Sequence, residues 1–258
     1  MEPEEKLTHQ APDVEAKHPA WDSLYTVGGT AGLIVAALLV LEVVIFIVWP
    51  QPAWPQPNSV LNWFALFQRN RLIGLLDMDL VGIVAYALLI PTLLALYLAL
   101  KRVSAFTAIA TALFFVGIAM YFATNTLFSM LALSDQYAAA TTEAQRAAAL
   151  AAGQALLTTF YVSAFQESYV IVSVALLIIS IVMLRSAVFT NATASVGILA
   201  NVCAIGTVTV GLFALVPSAI LAFLSVVFLA AWFFLIGRQL LRLRPLHAEE
   251  RLMNELRS

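Results

Sequence analysis

Residues 160–184, FYVSAFQESYVIVSVALLIISIVML, form an apolar stretch that one charged residue, Glu167, interrupts. A helix that crosses a bilayer needs about 20 mostly apolar residues, so this stretch predicts a transmembrane span. A charged side chain inside a span costs roughly 2.5–3.5 kcal/mol on insertion scales, so it is expected to be neutralised, paired or turned towards a polar cavity. Glu167 therefore indicates where such a cavity lies.

The composition places the whole chain in the same class. Of its 258 residues, 62% are hydrophobic and 11% are charged, and the mean hydropathy is +0.93. These values exclude an ordinary soluble domain. The predicted fold is all-α, a polytopic membrane bundle of six transmembrane helices with two extra interfacial or amphipathic helices. The six spans are predicted at about 26–49, 76–100, 105–133, 160–184, 192–216 and 218–241.

The chain divides into one membrane domain and two polar ends. Residues 1–24 are mainly polar and acidic and predict a flexible cytoplasmic tail, and residues 245–258 predict a charged cytoplasmic C-terminal tail. Residues 25–244 form the six-helix domain. Gly28 and Gly32, four residues apart in the first span, favour close helix packing inside the bundle over dimerisation.

Two segments predict helices outside the hydrocarbon core. Residues 58–74 indicate a short interfacial helix that leads into the second span. Residues 135–160 are polar and then rich in alanine, and they predict a helix that continues into the fourth span. Thr142 and Gln145 have the spacing of a capping box, in which each residue caps the backbone of the other.

The basic residues predict the orientation in the membrane. Six spans put both termini on one side, and that side then holds all the Lys and Arg residues except Arg69, Arg71 and Arg146. Cytoplasmic loops are enriched in Lys and Arg. Both termini of this integral membrane protein are therefore predicted to be cytoplasmic.

Polar residues from four spans fall at one level near the outer face. Because each helical residue rises 1.5 Å, Glu42 and Glu167 both lie about 10 Å below the outer ends of their spans. Asn125 falls near that depth in the third span, and Asp79 lies at the outer start of the second. Polar helix faces are expected to turn towards the bundle interior. The predicted site is an outward-facing acidic pocket, with binding residues Glu42, Glu167, Asn125, Gln166 and Asp79 and with Arg71 as counter-ion.

A structural interpretation competes with this site. Buried polar groups often form interhelical hydrogen bonds worth about 0.6 kcal/mol each, and this role is favoured for Asn125 and Asn201. The charged residues of 69–79 fit interfacial charges equally well. Glu42 and Glu167 favour a functional role because burial costs them more and both occupy one depth. A structural carboxyl pair or an Arg–Glu clamp is the alternative for them.

The histidines and lysines exclude several chemistries. His9, His18 and His247 lie in the predicted tails, so no span supplies imidazole for haem, zinc or di-iron ligation. No lysine lies inside a span, which excludes a retinal Schiff base. No metal, cofactor or catalytic residue is predicted, and the few scattered basic residues predict no nucleic-acid binding. Acid–base catalysis by Glu42 and Glu167 alone stays open.

Four stretches carry a resemblance to a known family. They are 70–80 (NRLIGLLDMDL), 94–102 (LALYLALKR), 133–156 with its run SDQY, and 183–201, which begins MLRS and ends GILAN. Over most of residues 26–243 the chain resembles a bacterial family of multi-pass membrane proteins, domain of unknown function 4386. The resemblance implies a multi-pass protein of the bacterial cytoplasmic membrane. It implies no activity and no catalytic residue.

The favoured function is binding or passage of a small polar or cationic species through the acidic pocket. Glu42 and Glu167 would act as ligands or proton carriers, and Asn125 would orient the bound species. One alternative is a non-catalytic membrane subunit or sensor with a structural polar layer, and another is an enzyme acting on a lipid or membrane-soluble substrate. The expected partners are the lipid bilayer, the small ligand and further copies of the chain in a homo-oligomer.

Overall fold

The structure is a computed structural model that describes residues 19–48, 59–162 and 164–255. Helices account for nearly all of this part of the chain, and no strand occurs in it, which confirms the all-α prediction. The helices are α1 (Pro19–Val48), α2 (Ser59–Arg69), α3 (Arg71–Leu75), a π-helical turn (Leu76–Leu80), α4 (Val81–Leu100), α5 (Phe106–Thr124), α6 (Leu127–Ala139), α7 (Glu143–Val162), α8 (Ala164–Met183), α9 (Asn191–Gly211) and α10 (Leu215–Glu255).

Six helical stretches are long and apolar enough to cross a membrane, which confirms the predicted multi-pass architecture. They are Ser23–Val48, Arg71–Leu100, Phe106–Ala139, Glu143–Met183, Asn191–Gly211 and Leu215–Leu243. The third and fourth contain 34 and 41 residues, well beyond the roughly 20 that one crossing needs. Each of these two therefore consists of a spanning helix, α5 or α8, and an extension, α6 or α7.

The helix ends differ from the predicted domain boundaries. Helix α1 begins at Pro19, within the predicted tail of residues 1–24, while residues 1–18 lie outside the described residues. At the other end, α10 continues past the predicted boundary at residue 244 and ends at Glu255. The backbone of the predicted C-terminal tail is thus helical over most of its length.

The six spanning helices form a ring. Neighbours pack in the order α4, α1, α10, α9, α8 and α5, and α5 contacts α4 again. Fully buried side chains such as Leu93, Phe114, Ile179 and Trp232 join these helices in one apolar core. Because the ring closes, all six helices border its centre.

Glycines bring α1 close to both of its neighbours. A Cβ atom on Gly28 would lie 2.7 Å from the carbonyl oxygen of Pro91 in α4, and one on Gly32 would lie 3.5 Å from Cα of Gly237 in α10. Thr92 in α4 also donates a hydrogen bond from its hydroxyl to the carbonyl oxygen of Gly28, at 3.1 Å. These contacts confirm the prediction that the glycines serve packing inside the bundle.

A second core lies beyond the ring, at the end opposite the first residues of α1. Helices α6 and α7 form a hairpin there, and α2 packs across it. We call α2, α6 and α7 the cap layer. Its buried core includes Trp63, Phe64, Phe67, Leu127, Met130 and Leu157. The predicted interfacial helix at 58–74 is interrupted by Asn70, whose side-chain oxygen accepts a hydrogen bond from the Ile73 N–H at 3.1 Å and so starts a new helix, α3.

The predicted capping box is present at the start of α7. The Thr142 hydroxyl oxygen accepts a hydrogen bond from the N–H of Gln145 at 3.2 Å. In return, Gln145 Oε1 accepts from the N–H groups of Thr142 at 3.2 Å and of Thr141 at 2.9 Å. The box defines where the helix begins, because it satisfies backbone donors that have no partner within the helix.

Thr142→Ala is expected to loosen the first turn of α7. Loss of a threonine cap costs about 1 kcal/mol, which corresponds to roughly fivefold faster amide exchange where local opening controls the rate. Hydrogen exchange followed by mass spectrometry over residues 141–148 measures this exchange rate. Thr158→Ala is the matched control, because the only hydrogen bond of that exposed hydroxyl within the described residues goes to the carbonyl oxygen of Gln154 in the same helix. Equal exchange rates in the two variants would contradict the capping role.

Candidate functional site

A cavity of about 260 Å³ lies inside the ring. Every spanning helix contributes to its wall, and Phe160 near the end of α7 adds to it. Most of the wall is apolar or aromatic. The polar residues of the wall are Glu42, Asp79, Ser173 and Asn201, together with the tyrosines Tyr86, Tyr121 and Tyr169.

Two of the membrane-crossing stretches are broken beside this cavity. In the π-helical turn before α4, Asp79 leaves the helical conformation with φ 177° and ψ 15°. Helix α5 ends at Thr124, and Asn125 is extended, with φ −66° and ψ 126°. The stretch predicted as the third span, 105–133, is therefore present but divided into two helices, α5 and α6. At each break, backbone groups leave the regular hydrogen bonding of the helix and an adjacent side chain becomes free to turn inward.

Asp79 connects the two breaks. Its Oδ2 accepts one hydrogen bond from the Tyr121 hydroxyl at 2.7 Å and another from Nδ2 of Asn125. Asn125 is held in turn, since its Oδ1 accepts from the N–H of Leu127 at 3.0 Å. Gly82 leaves room for the carboxyl group, because a Cβ atom there would collide with Oδ1 of Asp79. Within the described chain, no hydrogen bond reaches that Oδ1.

Aromatic rings line the same cavity as the carboxyl groups. Tyr86 and Tyr121 stack with their centroids 3.8 Å apart and their planes 7° from parallel. Phe165 lies 5.3 Å from the Tyr121 ring and stacks on Phe160 at 4.2 Å. Tyr169, one helical turn after Phe165, also faces the cavity. The face of an aromatic ring attracts cations, so the rings and the carboxyl groups favour the same kind of ligand.

The charged groups of the cavity wall are acidic. Glu42 is half-buried and lines the cavity with Asp79, and among the described residues no Lys, Arg or His lines it. Glu42 also forms no hydrogen bond or ion pair with the residues that the structure describes. Walls of one charge sign and low polarity concentrate the field inside a cleft. The site is therefore suited to a cation.

Asn201 adds a buried polar group to the wall. The residue is 0% exposed, and its Nδ2 donates to the carbonyl oxygen of Gly197 in the same helix at 2.8 Å. Its Oδ1 has no hydrogen-bond partner in the described part of the chain. A buried acceptor without a partner costs about 1–3 kcal/mol. The predicted interhelical hydrogen bond is thus not formed there, and the free oxygen makes Asn201 a candidate ligand-binding residue.

The structure places Glu167 outside the cavity, contrary to the prediction. Phe165 and Tyr169 are four residues apart and face the cavity, as do the residues that follow at helical spacing, Val172, Ser173 and Leu176. Glu167 is two residues from Phe165, so the helix turns it to another face, where the residue is exposed. Its neighbour Gln166 is half-buried but does not line the cavity. Glu42 and Glu167 therefore do not form a pair in this site.

Arg71 is not the counter-ion of the cavity. Its Nη2 forms an ion pair with Oδ1 of Asp135 at 2.7 Å, and the two side chains are 63% and 42% exposed. Gln68 donates to the same oxygen at 3.1 Å. About two helical turns and the break at Asp79 separate Arg71 from the cavity. The ion pair links α3 to α6 in the cap layer, where exposed pairs contribute about 0–1 kcal/mol.

The fold and the cavity define a class, a multi-pass helical membrane protein whose six-helix ring encloses an acidic, tyrosine-lined cavity. Comparison with family models, curated proteins and solved structures finds no match to the chain. The resemblance to domain of unknown function 4386 stays a prediction.

Proposed function

We propose that the protein binds a small cation in the cavity at the centre of the ring, as a step in its passage across the membrane. The observation that carries this proposal is the pair of carboxyl groups, Glu42 and Asp79, in a wall to which no described basic residue contributes. Burying a carboxylate without a partner is costly. A bound cation supplies a partner to Glu42, which has none among the described residues, and to Oδ1 of Asp79, whose other oxygen already accepts from Tyr121 and Asn125.

The broken helices support passage as well as binding. Many secondary transporters place their binding sites where spanning helices are discontinuous, because the free helix ends contribute backbone groups and partial charges to the ligand. Here α5 ends at Thr124, one residue from Asn125 and its bond to Asp79. The C-terminal end of a helix carries a partial negative charge, which again favours a cation.

In the proposed orientation the cavity faces the outside of the cell. The acidic groups lie towards the cap layer, opposite the first residues of α1, and the side with the chain ends has most of the Lys and Arg residues. We infer that both termini are cytoplasmic and that the cap layer is extracytoplasmic, in the cytoplasmic membrane of a bacterium. The cation would enter from the cap side.

A second candidate function is a non-catalytic membrane subunit whose polar layer holds the helices together. The hydrogen bonds of Asp79 with Tyr121 and Asn125 favour it, because they join two broken helices. Glu42 distinguishes the two functions. A structural carboxyl group is expected to have partners, and none of the described residues forms a hydrogen bond or ion pair with Glu42.

The test compares two glutamates at similar depth. Purified protein in detergent is titrated calorimetrically with methylammonium, tetramethylammonium, sodium and potassium chlorides. Glu42→Gln is expected to weaken binding about tenfold or more, as loss of a hydrogen bond to a charged group predicts. Glu167→Gln is the matched control and is expected to bind like the wild type. If the wild type binds none of these cations, or if both variants bind equally well, the proposed function is wrong.

A further inference from the structure

We propose that the ligand is an organic ammonium ion with an apolar body and a second hydrogen-bond donor. This inference rests on the proposed function and narrows it to one chemical class. It follows from three parts of the cavity wall: the free carboxyl oxygens, the aromatic rings and the unpaired oxygen of Asn201.

The wall fits an organic cation better than a bare metal ion. Hard metal cations take six or more oxygen ligands, whereas most of this wall is apolar or aromatic. Rings of tyrosine and phenylalanine bind ammonium groups through their faces and cover the apolar body that such ions carry. The volume of about 260 Å³ lies just under the usual range of about 300–1,000 Å³ for ligand pockets. It suits one aromatic ring or a short alkyl chain.

The carboxyl groups define where the ammonium group binds. Oδ2 of Asp79 is already occupied by Tyr121 and Asn125, which leaves Oδ1 to accept a hydrogen bond from a ligand. The carboxyl group of Glu42 lines the same cavity. An ammonium group has several N–H donors and binds both carboxyl groups at once.

Asn201 defines a second polar contact. The cap-side ends of α1 and α9 are Val48 and Gly211, and Asn201 lies further from its end than Glu42 does. Because each helical residue rises 1.5 Å, Asn201 lies about 6 Å deeper than Glu42 when counted from these ends. Its Oδ1 is a hydrogen-bond acceptor with no partner in the described chain. A ligand with its ammonium group at the carboxyls reaches this oxygen with a hydroxyl or amino group at the far end of its body.

Four compounds and one salt test these features separately, with tyramine as the probe that has all of them. Phenethylamine lacks the second donor, tyrosol replaces the ammonium group by a hydroxyl, 3-(4-hydroxyphenyl)propanoate is an anion, and potassium chloride has no apolar body. Calorimetric titration of the full chain in detergent is expected to show tyramine binding at least tenfold more tightly than the last three. Tyramine should bind about fivefold more tightly than phenethylamine. In the Asn201→Leu variant, which lacks the acceptor oxygen, tyramine and phenethylamine should bind with equal affinity.

The outcomes separate the inference from the function on which it rests. If potassium binds as tightly as tyramine, the cavity is a cation site, but the inference that its ligand is an organic ammonium ion is wrong. If the wild type binds tyramine and phenethylamine with equal affinity, the inference that the ligand has a second hydrogen-bond donor is wrong. This comparison uses the wild type alone, so it does not depend on whether a variant folds. If tyrosol binds as well as tyramine, charge does not matter and the proposed function fails too.

Discussion

Asp79→Asn is expected to weaken cation binding about hundredfold and to leave the protein folded. Removing one partner from a desolvated charge pair costs about 2–5 kcal/mol, and hundredfold weaker binding corresponds to about 2.7 kcal/mol. Folding should survive, because the amide keeps one carbonyl oxygen with two lone pairs. That oxygen can accept from both Tyr121 and Asn125, the present partners of Asp79. Calorimetric titration gives the affinity, and thermal unfolding in the same detergent shows whether the fold is retained.

The matched control for this prediction is Asp135→Asn. Asp135 is also an aspartate that accepts hydrogen bonds, but it lies in the cap layer, where its partners are Arg71 and Gln68. Its replacement is expected to leave cation affinity unchanged. A folded Asp79→Asn protein that binds cations like the wild type would show that the carboxyl group serves only to join the broken helices.

The spans could be predicted from the sequence because their signal is local. A run such as 160–184 is apolar over the thickness of a bilayer whatever surrounds it. The capping box of Thr142 and Gln145 is local in the same sense, and the structure shows both of its reciprocal hydrogen bonds. What the sequence could not provide is the order of helices around the ring, because that order depends on contacts between distant parts of the chain.

The sequence predicted how deep in the membrane the site residues lie, but not which helix faces point into the cavity. Counting residues along the helices placed Glu42 and Glu167 at one level, yet only Glu42 faces the cavity. Which face of a spanning helix points inward depends on its neighbours, and polarity alone did not reveal it. A second signal was available in α8, where Phe165, Tyr169 and Ser173 are spaced by four residues and share one face. That face contains the residues that line the cavity.

The two helix breaks could not be predicted from the usual sequence signals of helix ends. Pro91 lies inside α4, which continues through it, whereas the breaks at Asp79 and Asn125 contain neither proline nor glycine. The two breaks are joined by the hydrogen bond that Asn125 donates to Asp79, and Tyr121 donates a second bond to the same carboxyl oxygen. Because these two residues are 46 positions apart along the chain, their contact cannot be read from local propensity.

Gly28→Val is expected to cause the largest loss of stability. A side chain at this position would meet the Cβ of Ala95 and the carbonyl oxygen of Pro91, which lie less than 3 Å from an added Cβ. A backbone carbonyl inside α4 cannot turn aside, so α1 must move away and lose the hydrogen bond from Thr92. Overpacking of this kind costs about 3 kcal/mol, which for a chain of this size lowers the melting temperature by about 6–12 °C.

Gly206→Val separates this steric effect from the change in helix propensity. Gly206 also lies inside a spanning helix, but an added Cβ would meet only the side chain of Leu221, at 3.2 Å and 4.0 Å. That side chain can change rotamer, so the melting temperature is expected to change by no more than a few degrees. Thermal unfolding of both variants in one detergent, followed by circular dichroism, measures the difference. Equal melting temperatures would mean that α1 and α4 do not depend on close contact at Gly28. The ring would then be held by its larger side chains alone.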